Sequence, residues 1–221
     1  IAEACRQLEV PVVSGNVSLY NESRGQAIFP TPVVGGLGLL EDATKATRSA
    51  FAGEGLIVGL LGADTKGVDP HDLAGSEYLQ RVHGRVEGSP KIDIDLEKRV
   101  QALCRDAIER GLITSAHDCS EGGLTVALAE CSIQSGTGFT GDFPVDHRWD
   151  VTLFGERQSR IVVGLPEQSW DALARLASDS DVPTVKLGYT GGDRFRFNGL
   201  VDLPVSQISE VWNKGLEAAS G

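Results

Sequence analysis

The sequence predicts an α/β protein of the α+β type, a mixed sheet with helices packed on it. Three observations point there. Leu56–Leu61 is a continuous apolar run, the pattern of a strand covered on both faces. Leu96, Val100, Leu103, Cys104, Ala107 and Ile108 recur at helical spacing, and Leu124, Ala127, Leu128 and Cys131 repeat that pattern further on. The short apolar segments around these helices are in places joined by turns too short for a crossover helix. That favours a mixed sheet over a strictly parallel, doubly wound one.

In chain order, Ile1–Leu8 reads as the last turns of a helix and Val10–Val13 as a strand. Ala27–Leu40 reads as one or two more apolar strands, punctuated by Pro30, Pro32 and glycines. A boundary is expected near Glu41–Gly55, where polar and glycine-containing turns separate two apolar runs. After the Leu56–Leu61 strand, the stretch from Gly62 to Gly67 reads as a strand-end turn. Ser76 in Gly75-Ser76-Glu77-Tyr78-Leu79 is a candidate N-cap of a short helix. The long helix has Asp95 as candidate N-cap and Gly111 as the residue past its end. Leu112–Ala116 is then a short strand, and the second helix follows the turn His117-Asp118-Cys119-Ser120-Glu121-Gly122-Gly123. Further short elements cover Asp150–Phe154, Arg160–Leu165, Thr184–Tyr189, Arg194–Phe197 and Leu200–Leu203, with a helix across Glu167–Ala177 and a closing helix over Ser206–Leu216. Arg194-Phe195-Arg196-Phe197 alternates with period two, as a half-buried strand does. Its acidic surroundings argue against base stacking.

A chain of 221 residues holds one large domain or two small ones and can bury a sizeable core. The net charge of −11 argues against non-specific nucleic-acid binding, which needs a basic footprint. It also means that an anionic ligand needs backbone N–H groups, a metal ion or local Arg and Lys to offset the field. No signal peptide or membrane span is visible. The start at Ile1 inside a helical pattern, with no methionine in the chain, reads as a cut made within a larger protein. Cys5, Cys104, Cys119 and Cys131 have no C-x-x-C or paired-histidine spacing, which points to buried, reduced thiols in a cytosolic protein.

Two stretches carry chemistry. Ser14-Gly15-Asn16-Val17-Ser18-Leu19-Tyr20-Asn21-Glu22 crowds glycine, amides, hydroxyls and a carboxylate behind the first expected strand. Gly15 permits close backbone approach, Asn16 offers a neutral oxygen to a hard cation such as Mg²⁺, and Ser18 offers a hydroxyl to a phosphate or ribose oxygen. A plain turn between strands fits the same residues. In His117–Gly123, Asp118 and Glu121 can hold a cation while Gly122 and Gly123 allow close approach; helix capping by the carboxylates fits equally. His117 shows no partner and reads as structural, and His71, His83 and His147 are scattered, so no triad can be argued. Gly36-Leu37-Gly38 lacks the third glycine of a dinucleotide fingerprint, and no G-x-x-x-x-G-K-[ST] occurs.

SGNVSLYNE, with Thr31-Pro32-Val33-Val34-Gly35-Gly36-Leu37-Gly38, Gly75-Ser76-Glu77-Tyr78-Leu79, His117-Asp118-Cys119-Ser120-Glu121-Gly122-Gly123-Leu124 and Leu153-Phe154-Gly155-Glu156, resembles the phosphoribosylformylglycinamidine synthase family. The resemblance implies a synthetase subunit of two pseudo-symmetric halves, of which this chain is the later part of the second. Residues 1–50 then finish a smaller α/β N-terminal-type domain. Residues 51–205 form the C-terminal-type domain, which resembles that of aminoimidazole ribonucleotide synthetase, and residues 206–221 a closing helix and tail. The implied reaction converts formylglycinamide ribonucleotide to its amidine with ATP, Mg²⁺ and ammonia, through an iminophosphate. The implied partners are the upstream half, a glutaminase subunit that delivers the ammonia and a small accessory subunit; no nucleic acid or membrane is expected, and the cytoplasm is the expected location. By the same resemblance Gly15 contacts ATP, Asn16 ligates Mg²⁺ and Ser18 contacts the ribonucleotide, while Asp118 resembles a metal-binding acid of the other half. The family's catalytic histidine belongs upstream, so no catalytic residue is assigned and the chain alone is expected to be inactive. The alternatives are a non-catalytic half that completes a partner's site or docks the glutaminase, and a related ATP-using synthetase or kinase such as thiamine-monophosphate kinase.

Overall fold

The computed structural model describes every residue except Leu19, Ala63, Asp64, Lys66, Gly67, Val68 and Gly221, with the backbone alone for residues 216–220. The chain divides into two units, Ile1–Ala46 and Thr47–Gly221.

The first unit begins with helix α1 (Ala2–Gln7), as its residues predict. Strands β1 (Glu22–Ser23) and β2 (Gln26–Ala27) then form a minimal hairpin. Its two-residue loop has Arg24 at φ 54° and Gly25 at φ 77°, the left-handed pair that matches the twist of the flanking strands. A short 3₁₀ turn over Ala43–Lys45 is capped by Asp42, whose Oδ1 accepts from the Thr44 N–H at 2.9 Å. The expected strand at Val10–Val13 is absent, and of Ala27–Leu40 only Ala27 is in a strand. The reason is the lack of a ladder. Among the described residues of this unit no neighbouring strand pairs with these segments, and Pro11, Pro30 and Pro32 have no N–H to donate. Their apolar side chains stay in solvent, with Val13 at 91% and Val33 at 96% exposure.

In the second unit the apolar run forms strand β3 (Ile57–Gly62), buried along its whole length. The strand-end turn expected after it lies largely outside the described residues. There follow α2 (Glu77–His83), α3 (Ile94–Glu109), β4 (Ser115–Asp118), α4 (Gly123–Ser135), β5 (Phe139–Gly141), α5 (Trp149–Phe154), β6 (Arg160–Leu165), α6 (Trp170–Asp179), β7 (Thr184–Thr190), β8 (Arg194–Phe197), β9 (Val201–Pro204) and α7 (Val205–Ser220). The strands make one sheet in the order β4-β6-β3-β7-β5-β8-β9. Every pairing is antiparallel except β5 with β8, so the sheet is mixed, as expected.

β3 sits inside the sheet, paired with β6 from Ile57↔Leu165 to Gly62↔Arg160 and with β7 on its other side. Its alternate residues feed two cores. Val58 and Leu60 join Leu124, Ala127, Leu128 and Cys131 of α4 with Phe139, Phe195 and Phe197. Ile57 and Leu61 join Leu96, Val100, Leu103, Cys104 and Ala107 of α3 with Leu173 and Ala177 of α6. Arg194–Phe197 is thus a half-buried strand, its two rings turned into the first core.

Helix ends are largely local. Ser76 caps α2, its Oγ accepting from the Leu79 N–H at 3.2 Å. Gly111 at φ 66° closes α3, with its own N–H on the Ile108 carbonyl and that of Leu112 on Ala107. The N-cap of α3 is Asp93 rather than Asp95: Asp93 Oδ1 accepts from the Leu96 N–H at 2.9 Å, which places the first buried leucine at the third helical position. β4 begins later than Leu112 because the turn that ends α3 uses Gly111 and Leu112, and it runs on through His117 and Asp118. The segment at Asp150–Phe154 is helical, and β5 was not visible in the sequence.

Candidate functional site

Gly15, Asn16 and Ser18 lie in the first unit, on an irregular exposed stretch. Leu19, within the same motif, is outside the described residues. A Cβ at Gly15 would meet nothing within 4 Å. The side chains of Asn16 and Ser18 face solvent and have no partner among the described residues. The stretch therefore offers an amide oxygen, a hydroxyl and backbone N–H groups without internal competition.

Asp118 lies in the second unit, on a cavity of about 560 Å³ lined by Gly75, Asp118, Glu121, Glu156, Ser159 and Arg160 among others. Three stretches singled out in the sequence meet at its rim. Glu156 Oε1 accepts the Glu77 N–H and the Gly122 N–H, each at 2.8 Å, so one carboxylate oxygen takes the amides that open α2 and α4. Tyr78 stacks on Phe154 with ring centroids 4.9 Å apart and planes 10° from parallel. Gly123, at φ 69°, passes so close that a Cβ there would sit 2.5 Å from the Gly155 carbonyl oxygen. Arg160 is buried, and its guanidinium donates to the carbonyls of Gly155 and Arg157.

Asp118 accepts the Ser120 hydroxyl on Oδ2. That bond holds its carboxyl below the ordinary value and keeps it ionised. His117 does have a partner: Nε2 meets Glu130 Oε2 of α4 at 3.0 Å, and Nδ1 meets the Asp118 carbonyl at 2.8 Å. Burial raises the pKa of Glu130, against the pull of His117. Cys119 also lines the cavity, but burial pushes its thiol up to about 11, and that of Cys131 to about 12. Neither is a nucleophile near neutral pH. No group of three or more His, Cys, Asp and Glu suited to a metal ion occurs among the described residues. Among the lining side chains the carboxylates Asp118, Glu121 and Glu156 stand against the guanidinium of Arg160.

The residue that sequence reasoning missed is Glu156. It stands in the Leu153–Glu156 stretch, but no local pattern shows that its side chain reaches amides 34 and 79 residues away.

The model of the C-terminal domain described as "AIR synthase related protein" matches residues 53–197. The PurL subunit of phosphoribosylformylglycinamidine synthase from Thermomicrobium roseum is 48% identical over 221 residues, covering 98% of this chain and 29% of that protein. The same subunit from Anaeromyxobacter sp. strain Fw109-5 is 43% identical over 229 residues, covering 99% of this chain and 29% of that protein. The chain thus spans under a third of the length of these relatives. Among solved structures, T. maritima PurL complexed with FGAR superposes with a TM-score of 0.65 at 16% identity, covering 76% of this chain and 30% of that one. Thiamine-monophosphate kinase from Stenotrophomonas maltophilia superposes with a TM-score of 0.50 at 21% identity, covering 70% of this chain and 54% of that one. At such identities these structures share the fold. The match over residues 53–197 shows that the chain belongs to the AIR synthase related family through the C-terminal domain that defines it.

Proposed function

We propose that this chain is part of the ligase that converts formylglycinamide ribonucleotide, ATP and glutamine-derived ammonia to formylglycinamidine ribonucleotide in purine biosynthesis. The observation that carries this is the meeting of Gly75–Leu79, His117–Leu124 and Leu153–Glu156 around one cavity, in a chain 43% to 48% identical to PurL subunits. In this reading residues 1–50 finish the smaller N-terminal-type domain, residues 51–205 form the C-terminal-type domain and residues 206–221 a closing helix and tail, close to the division after Ala46. The upstream half, a glutaminase and a small accessory subunit complete the cytoplasmic enzyme.

The substrate's amide oxygen attacks the γ-phosphorus of ATP and ADP leaves. Ammonia then adds to the activated carbon, and phosphate departs with the former amide oxygen. Such a reaction needs positioning and charge neutralisation more than a protein nucleophile, in keeping with a cavity at which burial pushes the Cys119 thiol up to about 11. Gly15 lets the ATP phosphates approach the backbone, and Ser18 donates to the ribonucleotide. Mg²⁺ that arrives on ATP phosphates needs one or two protein oxygens. The exposed Asn16 amide, without a partner among the described residues, would serve as one; in the other unit Asp118 would offer an oxygen to a separate ion at the cavity. When bound, the ion would supply charge neutralisation of the phosphates.

The test is amidine formation by the full-length synthetase carrying this sequence, with ATP, Mg²⁺ and ammonium salt. Asn16→Ala should mainly depress kcat, with partial rescue by added Mg²⁺. Ser18→Ala should raise KM for the ribonucleotide about two- to tenfold, the worth of one uncharged hydrogen bond. Unchanged kinetics in both variants would remove the binding assignments.

A further inference from the structure

We propose that Glu156 is a positioning residue that fixes the two turns facing the cavity as one rigid rim. The geometry is a single acceptor shared by two remote donors. Oε1 takes the Glu77 N–H from the Gly75–Glu77 turn and the Gly122 N–H from the Asp118–Gly123 turn, both at 2.8 Å. The backbone of Glu156 is anchored in turn, its N–H donating to the Asp72 carbonyl at 2.8 Å. Beneath it, Tyr78 stacks on Phe154, and Gly123 has room only for a hydrogen against Gly155.

Within the turn that opens α4 one backbone bond closes the chain, the Gly123 N–H on the Ser120 carbonyl at 3.0 Å, and the Gly122 N–H is left for an outside acceptor. Gly122 and Gly123 stand at φ 80° and 69°, and α4 has no side-chain cap at its start. A helix entered through two glycines has high freedom in its first turn. Glu156 removes that freedom by holding the first amide from outside. Glu121, which faces the same cavity, is carried by this turn, while Asp118 stands before it at the end of β4. Where Glu121 points therefore depends on the Glu156 carboxylate, which holds the neighbouring amide. The same oxygen ties the start of α2 on the other rim, so the two turns open together or not at all.

Geometry and charge make opposite demands, which gives the test. Glu156→Gln keeps an oxygen with two lone pairs at the same reach and loses the charge. Glu156→Asp keeps the charge but retracts the oxygen by one methylene and cannot serve both amides. Glu156→Ala removes the acceptor. Amide exchange in the full-length synthetase is expected to quicken at Glu77 and Gly122 together, by about tenfold or more, in the Ala and Asp variants. The Gln variant is expected to stay within about threefold of the parent, and α3 is expected to keep its protection in all three. Should Glu156→Ala not fold, the Asp–Gln pair decides alone. Rescue by Asp and not by Gln, or quickening at only one of the two amides, overturns the proposal.

The second measurement rests on the ligase reading. A rim that holds ligand equally in ground and transition states acts on KM. Glu156→Ala is thus expected to raise KM for ATP or for the ribonucleotide about five- to tenfold with kcat within twofold, and Glu156→Gln to restore it. If the parent enzyme makes no amidine, the ligase reading falls and the exchange result still decides the rim. If the parent is active and Glu156→Ala leaves both KM values unchanged, the positioning role is overturned.

Discussion

Ile1–Ala46 and Thr47–Gly221 both contain apolar, glycine-punctuated runs, and the runs meet opposite fates. Ile57–Gly62 lies between β6 and β7, and its side chains enter two cores. Val10–Val13 and most of Ala27–Leu40 carry similar side chains into solvent without forming a ladder. An extended apolar segment is an offer to pair. The neighbour decides whether it becomes a strand, because half of each ladder bond belongs to another part of the chain. The only pairing among the described residues of the first unit, β1 with β2, is the one a two-residue loop supplies locally.

The largest consequence concerns local stability. Amides across residues 10–40 are expected to exchange about a thousandfold faster than those of α3 and α4, since the latter open only with the core. Equal, strong protection in a dilute monomer would break the comparison. It would mean that the first unit carries a ladder of its own.

Next in size is the cost of trimming a leucine on either side. Leu128 is fully buried in the first core, so Leu128→Ala is expected to lose about 2–5 kcal/mol in denaturant melts. Leu37 is fully exposed, and Leu37→Ala is expected to stay within about 0.5 kcal/mol of the parent. Similar losses at both positions would show Leu37 to be covered in solution.

Glycines sharpen the contrast. At Gly123 the left-handed backbone and the Gly155 carbonyl 2.5 Å from a built Cβ make Gly123→Ala costly, by about 1–3 kcal/mol. At Gly15 nothing lies within 4 Å, so Gly15→Ala should melt within about 0.5 kcal/mol of the parent. Its effect is expected in KM for ATP of the full-length synthetase instead, which separates a binding glycine from a packing one.

The smallest effect is a pH dependence in the second unit. The Ser120 hydroxyl holds Asp118 below its ordinary 3.8, so the folded state binds that proton less readily than the unfolded one. This contribution is full above pH 3.8 and is lost as pH falls through the folded value. Ser120→Ala removes the largest lowering influence, and the acid limb of stability should become shallower. Glu130 runs the other way: burial raises it above 4.5, so its contribution is full below pH 4.5 and fades as pH rises through the folded value. Urea melts from about pH 3 to pH 7 on parent and Ser120→Ala test the sign. An acid limb unchanged by the substitution would contradict it.

By itself the sequence determined the features that close within a few residues. The stripe of α3, the apolar face of α4, the Ser76 cap and the Gly111 terminus all rest on contacts one helical turn apart, and each stands where its spacing placed it. The burial of β3 on both faces was legible because an unbroken apolar run has no polar face to show to water. The motif stretches were legible as residues, without the geometry that joins them. Tertiary structure alone decided which extended runs became strands, and it made β5 from three residues whose partners, β7 and β8, come about fifty residues later. It also paired His117 with Glu130 and brought the Glu156 carboxylate to the amides of Glu77 and Gly122. Those contacts join side chains and backbone groups that no period relates. They exist only once the sheet has fixed where β4, β6 and the starts of α2 and α4 lie.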